Sequence, residues 1–162
     1  MSNDQILQNK TIIVTGASTG IGQAFAVACA SYGAKIIVAD MNSGEETVKI
    51  VKSNGGEAKF VEVDVANENS TNLMAKAAYD WTGHLDGLIN NAAYFREVKL
   101  TPFEEIDVAV WDKIFDVNVK GIWQCSKAVI PYMRNNKGGS IINISSVVAV
   151  AGQPGYLHYV AT

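Results

Sequence analysis

The chain has 162 residues, 48% of them hydrophobic and 18% charged, with a formal net charge of −3. This length and composition suit one globular domain, and the charge gives no basic surface for binding nucleic acid. No apolar run approaches the roughly 18 residues that a membrane-spanning helix needs, so we expect no membrane segment. Cys29 and Cys125 lie far apart, without metal-ligand spacing, and the first residues lack signal-peptide features. We therefore expect a reduced, cytoplasmic protein without a metal site.

Short apolar runs alternate with helix patterns along the chain. Strands are predicted over residues 11–15, 35–39, 58–63, 85–90 and 140–145. The apolar residues expected to face the core from the first helix are Ile21, Phe25, Ala28, Cys29 and Tyr32. Ser43 and Glu46 predict a capping box at the second helix. A third helix is predicted before Gly83, and a long one over residues 107–135.

The predicted strands are apolar on both faces, which is typical of a parallel sheet covered by helices on both sides. Repeated strand–helix alternation with right-handed crossovers gives a doubly wound sheet. We find no linker or repeat that would divide the sequence. The fold class is therefore predicted to be α/β, with residues 1–162 forming a single domain.

The first predicted strand leads directly into three glycines, Gly16, Gly20 and Gly22, and then into a helix. Glycines let the backbone approach phosphate groups, and a helix N-terminus offers unpaired N–H groups and the positive end of a dipole. This order of elements predicts a site for the pyrophosphate of a dinucleotide. The alternative is a chance glycine turn in a strand–helix–strand unit.

Asp40 stands at the end of the second predicted strand. A carboxylate at this place accepts hydrogen bonds from the hydroxyls of the adenosine ribose. The alternative is a strand-end turn residue or a helix cap. Because a carboxylate repels a 2′-phosphate, and Met41 and Asn42 supply no cation, the sequence predicts NAD rather than NADP.

Polar or small residues also follow the third and fourth predicted strands. Asp64 and Val65 come after the third strand, and Asn90, Asn91 and Ala92 after the fourth. Ligands of open parallel sheets bind outside the carboxyl ends of the strands, so these residues are predicted to border the same cleft. Loop capping is the alternative role for Asp64 and Asn90.

Taken together, these motifs resemble the short-chain dehydrogenase/reductase family from about residue 8 to the last residue. Thr15 to Gly22 looks like its glycine turn, Asp64-Val65 like its adenine-contacting pair, and Asn90 to Ala93 like its Asn-Asn-Ala-Gly motif, with alanine last. The resemblance implies a Rossmann-type fold that binds a dinucleotide. The cofactor-binding residues it implies are Gly16, Ser18, Thr19, Gly20, Ile21, Gly22, Asp40, Met41, Asp64, Val65, Asn91, Ala92 and Tyr159. An alanine at position 93 is strained only if that position needs a positive φ.

The same resemblance implies a catalytic set of Asn118, Ser146 and Tyr159. Ser146 would hydrogen-bond the substrate oxygen, and Tyr159 would transfer the proton, since a nearby cation favours the phenolate of a side chain whose pKa is ordinarily about 10. Asn118 lies on the apolar face of the long helix, where it is either held by a loop carbonyl or part of a water-mediated proton relay. Ser145 and Tyr156 fit the spacing less well.

The implied activity is hydride transfer between NAD(H) and a secondary alcohol or its ketone. The alternatives are an NADPH-dependent 3-oxoacyl thioester reductase, a non-catalytic NAD-binding protein and an inert fragment. The family's lysine would stand at position 163, and its last strands would follow. We therefore expect the domain to be incomplete at its C-terminal end, nearly inactive, and open along strand five. The resemblance also implies a homotetramer, and we expect His84 and His158 to be surface or loop residues.

Overall fold

A computed structural model describes residues 5–162. Five strands form one parallel sheet in the order β3-β2-β1-β4-β5. Their bounds are Thr11–Thr15 (β1), Lys35–Asp40 (β2), Glu57–Glu62 (β3), Gly87–Asn90 (β4) and Ser140–Asn143 (β5). The strand order changes direction between β1 and β4, and open α/β sheets bind their ligands at the carboxyl side of such a point.

The longer helices alternate with the strands. Their bounds are Gly20–Ser31 (α1), Glu45–Ser53 (α2), Glu68–Thr82 (α3), Val108–Phe115 (α4) and Gly121–Asn135 (α5). A π-helical turn, Asp116–Lys120, joins α4 to α5, so the predicted long helix is one rod with a local change of pitch. Two one-turn helices, Val148–Ala151 (α6) and Leu157–Val160 (α7), follow β5. The predicted doubly wound α/β fold is confirmed.

Two core layers lie on opposite faces of the sheet. Ile13 of β1 belongs to the layer that packs against α3 and α5, together with Met74 and Val129. Its neighbours Ile12 and Val14 belong to the layer against α1 and α2. Successive side chains of a strand point to opposite faces, which is why a short strand serves both layers. The two layers hold the sheet between them and so fix the positions of the strand ends, which carry the candidate site.

The buried face of α1 differs from the prediction. Its buried residues are Gly22, Ala26 and Ala30, whereas Ile21 is 65% exposed and Tyr32 is 40% exposed. Small side chains let this helix lie close to the glycine turn, so the core takes the small residues and leaves large apolar ones outside. The prediction is therefore wrong for the exposed Ile21, Ala28 and Tyr32, whereas Phe25 and Cys29 are partly buried and pack against the core.

The start of α2 also differs. Gly44 rather than Ser43 occupies the N-cap position, and the Ser43 hydroxyl accepts the N–H of Glu45 at 3.5 Å, not that of Glu46, so the predicted capping box at Ser43 and Glu46 is wrong. A Cβ on Gly44 would lie 2.5 Å from a methyl group of Val38 and 2.8 Å from the ring of Phe60. The tight approach of this turn to the sheet selects glycine at the position where a capping side chain would stand.

The edge strand β5 is largely exposed, and Ile142 is 52% exposed. In the part of the chain that the structure describes, β5 forms one edge of the sheet and pairs with β4. Within residues 5–162, no helix combines the length and apolar character needed to cross a bilayer. The same residues contain no cluster of three or more His, Cys, Asp or Glu side chains suited to a metal ion.

Candidate nucleotide-binding and catalytic site

A cleft of about 430 Å³ opens at the carboxyl ends of the strands. Most of the predicted cofactor-binding residues line it: Gly16, Ser18, Thr19, Asp40, Met41, Val65, Asn91 and Ala92. A larger cavity, of about 780 Å³, lies at the amino ends of β1, β4 and β5, beside Lys10 and Asp86. None of the predicted site residues lines that second cavity. The smaller cleft is therefore the candidate site.

Two of the three glycines in the turn have no room for a Cβ atom, and the third has open space where its Cβ would lie. Gly16 has a φ of 66°, and a Cβ there would lie 2.8 Å from the Cα of Ala92. A Cβ on Gly22 would overlap the carbonyl oxygen of Gly16. Gly20 has a φ of 61° and nothing within 4 Å of its would-be Cβ. Gly16 and Gly22 thus allow the turn to fold onto α1 and onto the loop that follows β4 (residues 91–102, the β4 loop). Gly20 leaves space in front of the backbone.

The N-terminus of α1 fits an anion. Thr19 is its N-cap residue, and the Thr19 side chain makes no capping hydrogen bond. The first N–H groups of this 12-residue helix have no intrahelical acceptor, and the positive end of the dipole lies there. Together with the open space at Gly20, this arrangement can hold a phosphate group.

Asp40 connects the end of β2 to the glycine turn. One carboxylate oxygen accepts the N–H of Ser18 at 2.9 Å, and the other accepts the N–H of Asn42 at 2.9 Å. The second bond is the strand-end turn that the alternative role requires, and the first fixes the carboxylate beside the cleft. No ion pair within residues 5–162 involves Asp40. The oxygen bonded to Asn42 also accepts the side-chain amide of Asn42 at 3.4 Å. The oxygen bonded to Ser18 keeps lone-pair capacity for a further donor, such as a ribose hydroxyl.

Asn91 lines the cleft and uses its side chain to hold the glycine turn. Its amide donates to the carbonyl oxygens of Thr15 and Gly16, at 3.0 and 3.1 Å. The Thr15 hydroxyl in turn accepts the N–H groups of Asn91 and Ala92, at 3.0 and 3.1 Å. This exchange of hydrogen bonds joins the carboxyl ends of β1 and β4 at the centre of the candidate site.

Asp64 lies outside the lining of the cleft. One of its carboxylate oxygens accepts the N–H of Ala66 at 2.9 Å, and its own N–H donates to the Ser70 hydroxyl at 3.0 Å. These are the bonds expected of the loop-capping alternative. Val65, the next residue, does line the cleft and is buried.

Asn118 lies in the π-helical turn and is 7% exposed. Its carbonyl oxygen accepts the N–H of Tyr94 at 2.8 Å, and its amide donates to the Thr162 hydroxyl at 3.2 Å. That hydroxyl donates to the carbonyl oxygen of Tyr159 at 2.9 Å. The bonds connect the β4 loop, the π-helical turn and α7. Such turns recur at functional sites because they redirect side chains within a helix.

Ser146 and Tyr159 lie in the segment after β5. The Ser146 hydroxyl accepts the N–H of Val148 at 3.4 Å, and Tyr159 belongs to α7. The Tyr159 ring packs on Phe95, with 4.3 Å between ring centroids, and the Tyr156 ring lies 5.8 Å from the same phenylalanine ring. Within residues 5–162 no hydrogen bond joins Ser146 to Tyr159. The aromatic cluster holds α7 against the β4 loop.

His158 is 1% exposed, so the expectation that it is a surface or loop residue is wrong. It belongs to α7, and its ring lies 6.5 Å from that of Tyr156. Its Nδ1 has no hydrogen-bond partner among residues 5–162. His84 lies in the half-buried loop before β4, as expected, with Nδ1 3.0 Å from the carbonyl oxygen of Thr82. Ala93 is not among the positive-φ residues, so its methyl group causes no backbone strain.

Sequence reasoning missed several residues at the cleft. Arg96 and Lys113 line it, and the Lys113 ammonium lies 4.3 Å from the centre of the Tyr94 ring. They are remote in sequence from Asp40 and its neighbours, so only the fold brings these two cations to the same cleft. Thr47 is completely buried behind the glycine turn, and a lone threonine in a helix gives no sequence signal.

Comparisons with known proteins agree with this geometry. A short chain dehydrogenase family model matches residues 10–162. The uncharacterised oxidoreductase YxbG of Bacillus subtilis is 44% identical over 143 residues, covering 87% of this chain and 51% of that protein. A 3-oxoacyl-[acyl-carrier-protein] reductase of Synechocystis is 37% identical, covering 96% of this chain and 63% of that protein. This chain thus spans between half and two thirds of these relatives.

A crystal structure shows the same fold. It is that of a proposed short-chain alcohol dehydrogenase from Sinorhizobium meliloti 1021, with a TM-score of 0.90 and 34% sequence identity. The alignment covers 98% of this chain and 62% of the other. With the family model spanning nearly every residue, these likenesses establish that the chain belongs to the short-chain dehydrogenase family.

Proposed function

We propose that this chain carries the nucleotide-binding and catalytic residues of an oxidoreductase that transfers a hydride between NAD(H) and a secondary alcohol or its ketone. The observation that carries the proposal is the position of Asp40. Its carboxylate is fixed to the glycine turn at Ser18 while retaining acceptor capacity toward the cleft. A ribose next to a phosphate-binding turn is the ligand that this pair of features fits.

Separate groups of the chain would bind the nucleotide and transfer the proton. The α1 N-terminus and the open backbone at Gly20 bind phosphate, Asp40 accepts from the ribose hydroxyls, and Val65 packs on the adenine. When bound, the nicotinamide supplies or accepts the hydride. Tyr159 moves the proton between its hydroxyl and the substrate oxygen, and Ser146 orients that oxygen. Asn118 supports Tyr159 through Thr162.

NADPH-dependent reduction of a 3-oxoacyl thioester is the second candidate. Two observations favour it: the name of the Synechocystis relative, shared by the Staphylococcus aureus FabG proteins at 35% identity, and the cations Arg96 and Lys113 at the cleft. A non-catalytic NAD-binding protein is the third. The proposed assembly is a homotetramer built partly through α4 and α5, where Trp123 is 57% exposed. The cytoplasmic location stays a prediction.

Calorimetric titration of the 162-residue chain with NAD and with NADP separates the candidates. We expect NAD to bind more tightly by about tenfold, because the Asp40 carboxylate repels a 2′-phosphate. A preference for NADP would favour the thioester reductase, and binding of neither would contradict nucleotide binding altogether.

Turnover addresses the catalytic part of the proposal. No ion pair or cation–π contact within residues 5–162 places a cation on Tyr159. We therefore expect the 162-residue chain to oxidise secondary alcohols at least about tenfold more slowly than a version extended through a lysine at position 163, since a cation favours the phenolate. Equal rates would contradict this. If the extended version binds NAD but turns over no alcohol or ketone, the non-catalytic alternative is supported.

A further inference from the structure

Thr47 makes an unusual set of hydrogen bonds behind the glycine turn. It lies in the first half of α2, is completely buried and does not line the cleft. Its hydroxyl lies 2.9 Å from the carbonyl oxygen of Ala17 and 3.1 Å from that of Ser18. The hydroxyl also accepts the side-chain N–H of Gln23 at 2.8 Å. One side chain of α2 therefore binds two consecutive carbonyls of the turn and one residue of α1.

These bonds fix the direction of two peptide planes. In a trans peptide the carbonyl and the following N–H point in opposite directions, and none of the described peptides is cis. The carbonyl of Ala17 points to Thr47, and the N–H of Ser18 on the same plane donates to Asp40. The carbonyl of Ser18 also points to Thr47, so the N–H of Thr19 points away from it. Thr19 lines the cleft, which is where that N–H can meet an anion.

We propose that Thr47 is a positioning residue for NAD binding, a role that rests on the proposed function. By holding both carbonyls toward α2, it turns the Ser18 N–H onto the carboxylate that accepts from the ribose and presents the Thr19 N–H to the pyrophosphate. It acts through the turn and does not touch the nucleotide. Gln23 orients the hydroxyl by donating to it, so the proton of Thr47 is free to bond the carbonyls.

The test replaces the hydroxyl at Thr47 and at a matched site. Thr71 of α3 is also completely buried, and its hydroxyl bonds a backbone carbonyl, that of Glu68, at 2.9 Å, away from the cleft. Isothermal titration of NAD into the 162-residue chain should show Thr47→Val weakening binding about tenfold, because the hydroxyl proton that the two carbonyls share is lost. Thr47→Ser should restore binding to within about twofold, and Thr71→Val should leave NAD affinity unchanged although it also removes a buried hydrogen bond.

A measurement without ligand tests the same role. Amide hydrogen exchange by NMR should show the Ser18 N–H exchanging about tenfold faster in Thr47→Val, since its peptide plane is released, and unchanged in Thr71→Val. Unchanged NAD affinity and exchange in Thr47→Val would overturn the proposal, as would equal losses of affinity in both valine variants. Failure of the unaltered chain to bind NAD would overturn the proposed function and the nucleotide role of Thr47, while the exchange result would still decide whether Thr47 holds the turn.

Discussion

Asp40 and Asp86 stand at opposite ends of the parallel sheet and have different partners. Asp86 precedes β4 at the amino end, where it pairs with Lys10 at 2.9 Å and accepts the N–H of Thr11 at 2.9 Å. His84 Nε2 lies 3.4 Å from the carboxylate oxygen that accepts from Thr11. Asp40 ends β2 at the carboxyl end, where it accepts the backbone N–H groups of Ser18 and Asn42 and the side-chain amide of Asn42, and it has no ion pair within residues 5–162.

The pairing of Asp86 is reflected in its acidity. Burial alone would raise the pKa of Asp86, but the hydrogen bond from Thr11 and the charge of Lys10, with a contribution from His84, outweigh it and lower the pKa. Its carboxylate is thus committed to holding β1 beside β4. No cation forms an ion pair with Asp40 within residues 5–162. We propose that a strand-end carboxylate serves structure where cations contact it, and is available to a ligand where only amide N–H groups contact it.

The largest effect expected from this comparison is on NAD affinity. Asp40→Ala removes an acceptor from the ribose hydroxyls and should raise the Kd for NAD about 30-fold, which corresponds to roughly 2 kcal/mol for charge-assisted hydrogen bonds. Asp86→Ala, at the other end of the sheet, should leave the Kd unchanged. Calorimetric titration of both variants checks this, and an equal Kd for Asp40→Ala and the unaltered chain would remove the basis of the comparison.

The next largest effect is on stability, where Asp86→Ala should cost more than Asp40→Ala. Asp86→Ala leaves the N–H of Thr11 without its acceptor and Lys10 without its partner, so the free energy of unfolding should fall by about 2 kcal/mol. In a domain of this size that lowers the Tm by about 4–8 °C. Asp40→Ala should cost about half as much, because the bonds it loses lie at the edge of a cleft. Urea unfolding followed by circular dichroism measures both, and a larger loss in Asp40→Ala would contradict the assignment.

A smaller effect is the pH dependence of that stability. The pKa of Asp86 is lower in the folded chain than its ordinary value, so the carboxylate stabilises the fold above about pH 4. This contribution is lost as the pH falls through the folded-state pKa, where the carboxyl protonates. The difference in unfolding free energy between the unaltered chain and Asp86→Asn should therefore shrink below about pH 4. A difference that stays constant from pH 7 to pH 3 would show that charge is not the cause.

The smallest effect concerns the choice of cofactor. Asp40→Asn keeps a carbonyl oxygen for the ribose and removes the charge that repels a 2′-phosphate. We expect the preference for NAD over NADP to fall about fivefold. This corresponds to a repulsion on the order of 1 kcal/mol between the carboxylate and the 2′-phosphate across a water-exposed cleft. Paired titrations with the two nucleotides check this. An unchanged ratio would mean that Arg96 and Lys113 set the preference instead.

Much of the fold and part of the site follow from local patterns in the sequence. The strand–glycine–helix order and an acidic residue at the next strand end are both local features, and the strand order then brings Gly16 and Asp40 to one edge. Thr47 and the two cleft cations are brought in by packing between distant segments, which periodicity does not encode. The buried face of α1 does not follow from the size of its apolar side chains. The helix backbone lies close to the glycine turn, and this favours burial of Ala26 over Ile21.

The π-helical turn between α4 and α5 carries one residue more per turn than the α-helix on either side. Each residue of an α-helix advances the azimuth by about 100°, so winding all five residues of Asp116–Lys120 as α-helix would rotate its two halves relative to each other by that angle. The wider turn absorbs the extra residue, and Ile114 and Val129 on either side of it are both buried. The irregular turn is a phase correction on which both ends of the rod depend, so removing one residue from it should restore a regular α-helix with the two halves still in phase.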